Sequence, residues 1–362
     1  MGDGVTLHPP ILIEDRMRLA VVLSQREVWV LDVATGAGGS VFRAGAEFLG
    51  KVSADGQGRL YVASSARVYA LTLEGEIRWS FPLKPPVGEF PGVPDVTISP
   101  TGLFVPSPEG RLYKLDLSDG RVLWSAKLKF DGNQQVVGLV DTAYMPTLDQ
   151  GLVALNEQSG EVRWRSPFCL GPRGGVALLG RSRILVGERQ TDSVSVGYGL
   201  DVCGGNASPL PSWLWGGLEF GDGSVALMAG PPDGDRMHHL ASDGTTLGSL
   251  TVGTAALREN DLYAIGGDDA ACFLECYAGA SQQPVARLTA VRFDANPAAA
   301  ELVVELGESC RTGPAGGALG QDGTLYLARG GTVLAVQTRS PGPALGSWSL
   351  AGADNRGSRW HP

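Results

Sequence analysis

The chain repeats itself about every forty residues, and this period limits its fold more than any other feature. Short apolar segments recur along it; Leu60-Tyr61-Val62-Ala63, Leu103-Phe104-Val105-Pro106 and Ala143-Tyr144-Met145-Pro146 are the clearest. Weaker copies are Ala20-Val21-Val22-Leu23, Ile184-Leu185-Val186-Gly187, Val225-Ala226-Leu227-Met228, Leu262-Tyr263-Ala264-Ile265 and Leu325-Tyr326-Leu327-Ala328. Their second residues fall at 21, 61, 104, 144, 185, 226, 263 and 326, in steps of 40, 43, 40, 41, 41, 37 and 63. A second apolar segment follows in the clear copies, at 28–32, 68–72, 112–116, 152–156 and 333–337. A turn with glycine and then a tryptophan close the unit: Gly75 before Trp79, Gly120 before Trp124, Gly160 before Trp164. Trp348 stands 22 residues after Tyr326.

Apolar residues alternate at a period of two and are rich in Val, Tyr and Trp, which marks strands rather than helical repeats. Links such as Pro108-Glu109-Gly110 and Asp149-Gln150-Gly151 are tight-turn chemistry, in which glycine takes the positive φ that hairpins need. Forty residues of this kind hold four short antiparallel strands. One such sheet cannot bury both of its faces, whereas a ring of them can, with indoles filling the gaps. The expectation is therefore an all-β chain, a β-propeller of four-stranded antiparallel blades, folded as a single domain over residues 1–362. Eight blades fit the anchors, and seven blades with a large insertion are the alternative. The long step places an extra stretch near 290–315, where Asn296-Pro297 predicts the start of a short helix. The last blade is expected to close with either segment 347–356 or segment 5–13.

Composition agrees with this reading. Gly is 52 of 362 residues, about twice the usual share of roughly 7%. Apolar residues make up 43%, enough for a large core and too many for a disordered chain. No run of about 20 apolar residues exists to span a membrane. Met1-Gly2-Asp3-Gly4-Val5 lacks the basic-then-apolar pattern of a signal peptide, which fits a chain whose leader has been trimmed. The net charge of −9 is concentrated in the second half, where 11 basic residues face 19 acidic ones; residues 1–181 hold 18 and 19. Lys and Arg form no cluster, which excludes nucleic acid as partner.

The pattern Asp-Gly-x-Leu-Tyr-Val, then Leu-Tyr-Ala-Leu-Asp, then Thr/Ser-Gly-x-x-x-Trp resembles the pyrroloquinoline-quinone-like repeat family. Ala154-Leu155-Asn156 with Ser159-Gly160 and Trp164 is the best copy, and Asp322-Gly323-Thr324-Leu325-Tyr326 is a good opening. Clean copies occupy the second to fourth units, and the fifth to seventh are degenerate. The resemblance implies a blade-docking role for Trp79, Trp124 and Trp164. Family members that use the quinone are long dehydrogenases with calcium and, in several cases, an adjacent cysteine pair. This chain has no such pair and is similar instead to the shorter, cofactor-free propellers. These include the propeller lipoprotein of the outer-membrane β-barrel assembly machinery and sensor domains attached to bacterial kinases. The resemblance thus implies a non-catalytic scaffold for protein–protein interaction in a bacterial envelope, with no cofactor.

Candidate chemistry is sparse. The motifs of a nucleophile elbow, a phosphate loop and a calcium loop are all missing. Asp233, Asp235 and one of His238 and His239 are the only metal-like set, and adjacent strand residues point to opposite faces. A hydrophilic turn explains them better, so neither catalytic nor metal-binding residues are assigned. Cys272 and Cys276 are expected on one strand, too far apart to bond each other; Cys310 with one of them, and Cys169 with Cys203, are the open pairings. Trp213 and Trp215 are the binding candidates, because alternation sets both indoles on one face of a strand, where they would hold a sugar ring or a peptide. The expected partner is a protein, with a small molecule or carbohydrate as alternative, bound by a monomer in the periplasm or outside the cell. A cytoplasmic home, a dehydrogenase-like or carbohydrate-acting enzyme, and a ligand-sensing domain of a larger receptor are the competing readings.

Overall fold

The computed structural model describes residues 8–23, 25–84, 93–130, 136–147 and 151–166, then 176–179, 183–189, 195–201, 207–209, 214–220, 222, 224–229, 236–241, 243 and 245–251, then 261–265, 270–278, 284–293, 299–305, 317–329, 332–343 and 360–361. Apart from one 3-10 turn at Glu14–Arg16, the regular elements of these residues are strands. They form eight antiparallel sheets, spanning 11–43, 53–82, 97–127, 137–165, 176–209, 214–251, 261–305 and 317–337. Seven have four strands in sequence order, and the eighth has three among the described residues. The fourth gains one further strand, Trp360–His361.

The sheets form a ring. The first strand of each lies innermost, and these strands neighbour one another in cyclic order, the eighth sheet's lying against both the seventh's and the first's; between the third and fourth sheets, Trp360–His361 lies against both first strands. The second strands are buried along their length; every residue of Leu60–Ala63, Gly102–Ser107 and Thr142–Thr147 is buried. They carry the apolar anchors of the sequence, and each Val or Leu so buried is worth about 1.5–3 kcal/mol. The outer fourth strands alternate between exposed and half-buried residues, as in Val122–Lys127.

Register explains the repeat. Tyr61 pairs with Ala70, which pairs with Trp79; the third sheet has Phe104, Lys114 and Trp124 in these places, and the fourth has Tyr144, Ala154 and Trp164. A β-bulge follows at the same point each time, after Ala70, Lys114 and Ala154. The bulge turns the outer strand and aims its indole at the next sheet.

The seventh sheet departs from the expected alignment. Leu262 and Tyr263 lie on its first strand, Asp261–Ile265, and the second strand is Ala270–Ala278, which holds both Cys272 and Cys276. The long step therefore reflects two nine-residue strands and a misplaced anchor. Ala299 and Ala300, expected in a short helix, belong to the outer strand Ala299–Glu305. Pairing with the long strand Pro284–Arg292 outweighs the capping signal of Asn296-Pro297, two residues that lie outside the described ones. Ile11–Ile13 is the first strand of the first sheet and does not complete the last one; segment 347–356 lies outside the described residues.

Candidate functional site: the ring axis and the seams between sheets

At the seam between the second and third sheets, the Trp79 indole donates from Nε1 to the Leu117 carbonyl at 3.0 Å. The Tyr61 hydroxyl donates to the same carbonyl at 3.1 Å and stands 3.0 Å from the Asp55 carboxylate. Burial, reinforced by Asp55, pushes the Tyr61 phenol well above its usual range, so it stays a neutral donor. The indole lies flat on Gly120, whose φ is +74°; a Cβ there would stand 2.6 Å from Trp79 Cε3. Gly120, the glycine before Trp124, thus seats the tryptophan of the preceding sheet, whereas Gly75, before Trp79, faces the Val41 backbone.

The third seam keeps this plan with different atoms. Trp124 donates to the Glu157 carbonyl at 3.0 Å and lies on Gly160 at the same 2.6 Å clearance. Phe104 has no hydroxyl, and Lys114, standing where the flanking sheets have alanine, reaches in its place. Its ammonium is 2.9 Å from the Glu157 carbonyl, 2.6 Å from the Glu157 carboxylate and 2.5 Å from Thr101 Oγ1. Ser99 donates to that carboxylate at 2.7 Å, and Thr101 also bonds it. Both charged side chains are buried, at 2% and 4% exposure. Burial pushes the Glu157 carboxyl up, but the hydrogen bonds from Lys114, Thr101 and Ser99 outweigh it and hold the group below its usual range.

At the seam between the sixth and seventh sheets, glycine stands in the place that tryptophan holds in the second to fourth. Ala226, His239 and Gly248 occupy the Tyr, Ala and Trp places, again with the bulge after the middle residue. The aromatic comes from the other side. Phe293 follows the third strand of the seventh sheet, three residues past Ala290, as Leu117 is three past Lys114. Its ring lies 5.0 Å from the His239 ring and 6.1 Å from that of Phe220. His239 Nε2 is 2.7 Å from Ser224 Oγ, which is itself 2.6 Å from Asp222. The serine hydroxyl donates to that carboxylate and stands between it and the histidine. This is the reverse of a nucleophilic triad, in which the carboxylate orients the histidine.

Along the axis, hydroxyls on two first strands reach the residue just before the next: Ser53 bonds the Val96 carbonyl at 3.4 Å and Thr97 the Val136 carbonyl at 2.8 Å. Trp215 lies on the first strand of the sixth sheet, Leu214–Glu219, where the register shifts between Leu214 and Gly216. The bulge interrupts the strict alternation expected there. Trp213 lies outside the described residues, as do Asp233, Asp235, Cys169, Cys203 and Cys310. His238 and His239 share the strand Arg236–Leu240. Among the described residues, no three His, Cys, Asp or Glu side chains stand together to hold a metal ion.

The Lys114–Glu157 pair was overlooked in the sequence, although a lysine at a position otherwise held by alanine signals it. Phe293 gave no such signal, because its sheet does not match the repeat.

No helix among the described residues is long and apolar enough to cross a membrane. Among the solved structures of similar fold are the following three. BamB from Moraxella catarrhalis is 14% identical, with a TM-score of 0.60 over 92% of this chain and 97% of that one. The computationally designed Ika8 protein is 11% identical, with a TM-score of 0.65 over 93% and 97%. The WD40 β-propeller domain of Doa1 is 8% identical, with a TM-score of 0.53 over 94% of each. At these identities the likeness establishes the fold, a β-propeller. No curated protein sequence matches the chain. A family model does, over residues 20–204, and this is just over half of the 362 residues. The match runs through the sheets whose tryptophan and glycine seats are described above, and the chain belongs to the family of outer membrane protein assembly factor BamB.

Proposed function

We propose that the chain is a non-catalytic scaffold: one eight-bladed propeller over residues 1–362 that binds a protein partner in a bacterial envelope, as a monomer and without a cofactor. Membership of the BamB family carries this reading. The seams support it, since side-chain hydrogen bonds and seated indoles make the ring a stiff frame, and loops on stiff frames are where recognition residues concentrate. Trp213 and Trp215 are the proposed contact residues.

The test is capture of the tagged chain from cross-linked envelope membranes. The expected result is one envelope protein recovered in near-stoichiometric amount, and less of it with Trp213→Ala/Trp215→Ala. Recovery of no envelope protein overturns the reading. Adding pyrroloquinoline quinone and calcium to the purified chain tests the cofactor. A ligand at one hundred times its dissociation constant adds about 2.7 kcal/mol to stability, so a saturable rise in melting temperature would sink the cofactor-free assignment.

A further inference from the structure

The fourth sheet is the one that, among the described residues, continues past its innermost strand. Val137–Leu139 pairs antiparallel with Thr142–Thr147 on one side and parallel with Trp360–His361 on the other. Gly138 stands opposite Trp360 and Leu139 opposite His361. The added strand also lies against Thr97–Ser99, the first strand of the third sheet. It is therefore inserted at the axis, between two first strands that sequence separates from it by more than two hundred residues.

Two features of the accepting strand fit this. The middle residue of the first strand is Leu12 in the first sheet, Ile98 in the third and Ala318 in the eighth, but Gly138 in the fourth. Glycine inside a strand marks a place where another backbone approaches closely. Val140, directly after the strand, is 60% exposed and has a φ of +50°. A β-branched residue in the left-handed region is an outlier, here in the two-residue hairpin that joins Leu139 to Thr142. It stands at the end of the groove where a parallel strand leaves.

We propose that the axial edge of Val137–Leu139 is a peptide-accepting groove, filled in this chain by its own residues 360–361, and that the partner inserts an extended segment there in the same parallel register. Main-chain hydrogen bonds along a sheet edge give such binding its affinity, and side chains at alternate positions its selectivity. The chain itself supplies an aromatic residue opposite Gly138, so the partner's segment is expected to carry one there. The proposal rests on the protein-binding reading above and names the kind of partner. A tethered segment competes at an effective concentration on the order of mM, so the chain's own strand shields the groove from free peptides at micromolar concentration.

The test uses a fluorescent peptide of residues 353–362 and two proteins, the intact chain and one ending at Gly352. The shortened chain is expected to bind the peptide saturably, at least tenfold more tightly than the intact chain. A peptide with proline in place of Trp360 should not bind. A shortened chain with unchanged melting that ignores the peptide, or binds the proline peptide equally, overturns the proposal. If the shortened chain does not fold, amide exchange decides the matter. In full-length Trp360→Pro, residues 137–139 should exchange at least tenfold faster than in the parent, and unchanged exchange overturns the groove. Envelope capture that survives while the peptide result fails removes the groove alone. Peptide binding that survives while capture fails removes the scaffold reading alone.

Discussion

The third and sixth sheets solve one packing problem from opposite directions. Each must fill the wedge between its own bulged strand and the next sheet. The third does so with its own Trp124, laid on Gly160 of the fourth. The sixth has Gly248 in that place and receives Phe293 from the seventh, against His239. Register, bulge and seam are shared, and the residue that fills the seam changes sides. What the ring requires is an aromatic in the wedge; which sheet donates it is free to drift. The second and third sheets teach the same thing on a finer scale. Tyr61 and Lys114 are different residues on different strands, yet each delivers a proton donor to the carbonyl that also receives the indole.

That equivalence is open to breaking, most forcefully at Lys114. Lys114→Ala leaves the Glu157 carboxylate buried without its cation, and removing one partner of a buried pair costs about 3–5 kcal/mol. Urea unfolding should show the loss as a lower midpoint. If Tyr61 and Lys114 do the same work, the third seam should accept the second seam's residues. The triple variant Phe104→Tyr, Lys114→Ala, Glu157→Leu is expected to regain most of the loss, because a well-packed apolar replacement of a buried pair is often neutral or better. A triple variant no more stable than Lys114→Ala would show that the two seams are not interchangeable.

The tryptophan seat comes next. Gly160→Ala combines a left-handed backbone with a Cβ 2.6 Å from the Trp124 ring, and should cost about 2–3 kcal/mol. Gly45→Ala has a similar φ of +65° but meets no described atom within 4 Å, and should cost only the backbone share, about 1–2 kcal/mol. Equal losses would mean that the indole does not depend on its seat. Phe293→Ala should cost less than Gly160→Ala, about 1–2 kcal/mol, since the ring is half-buried and aromatic pairs add about 0.5–1.5 kcal/mol. No loss at all would leave the sixth seam without its substitute filler and end the comparison.

The same contrast explains what was readable beforehand. Strand alternation, glycine turns and tryptophan spacing act within one sheet, so the sequence exposes them, and the four-stranded blades followed. Seams join residues about forty positions apart, and the sequence shows them only where a motif is intact, as for Trp79 and Trp124. Where tryptophan is absent, nothing local tells Phe293 from any other core aromatic. The seventh sheet was misaligned for a related reason: Leu262-Tyr263-Ala264 looks like a second strand, and only its pairing with Ala270–Ala278 identifies it as a first. The pairing of 360–361 with 137–139 has no sequence signature beyond Gly138. The proposed Trp213–Trp215 site rested on alternation, which the bulge at Trp215 interrupts.

The smallest expected effect separates the two seams by pH. Glu157 titrates in the third seam, and its folded carboxyl lies below its ordinary value of 4.5. Unfolding then takes up a proton as pH falls through the interval between the folded and ordinary values. The stabilisation from Glu157 is therefore complete above about pH 4.5 and fades as pH drops toward the folded value. The triple variant carries leucine at 157 and lacks this component. Its stability relative to the parent should be constant from neutral pH to about 5 and then move in the variant's favour as pH falls below about 4.5. Denaturant midpoints measured at half-unit pH steps would show it. Parallel curves for the two proteins below that pH would mean that Glu157 is held no more tightly than an ordinary carboxylate, and that its main-chain carbonyl, not its charge, is what the third seam uses.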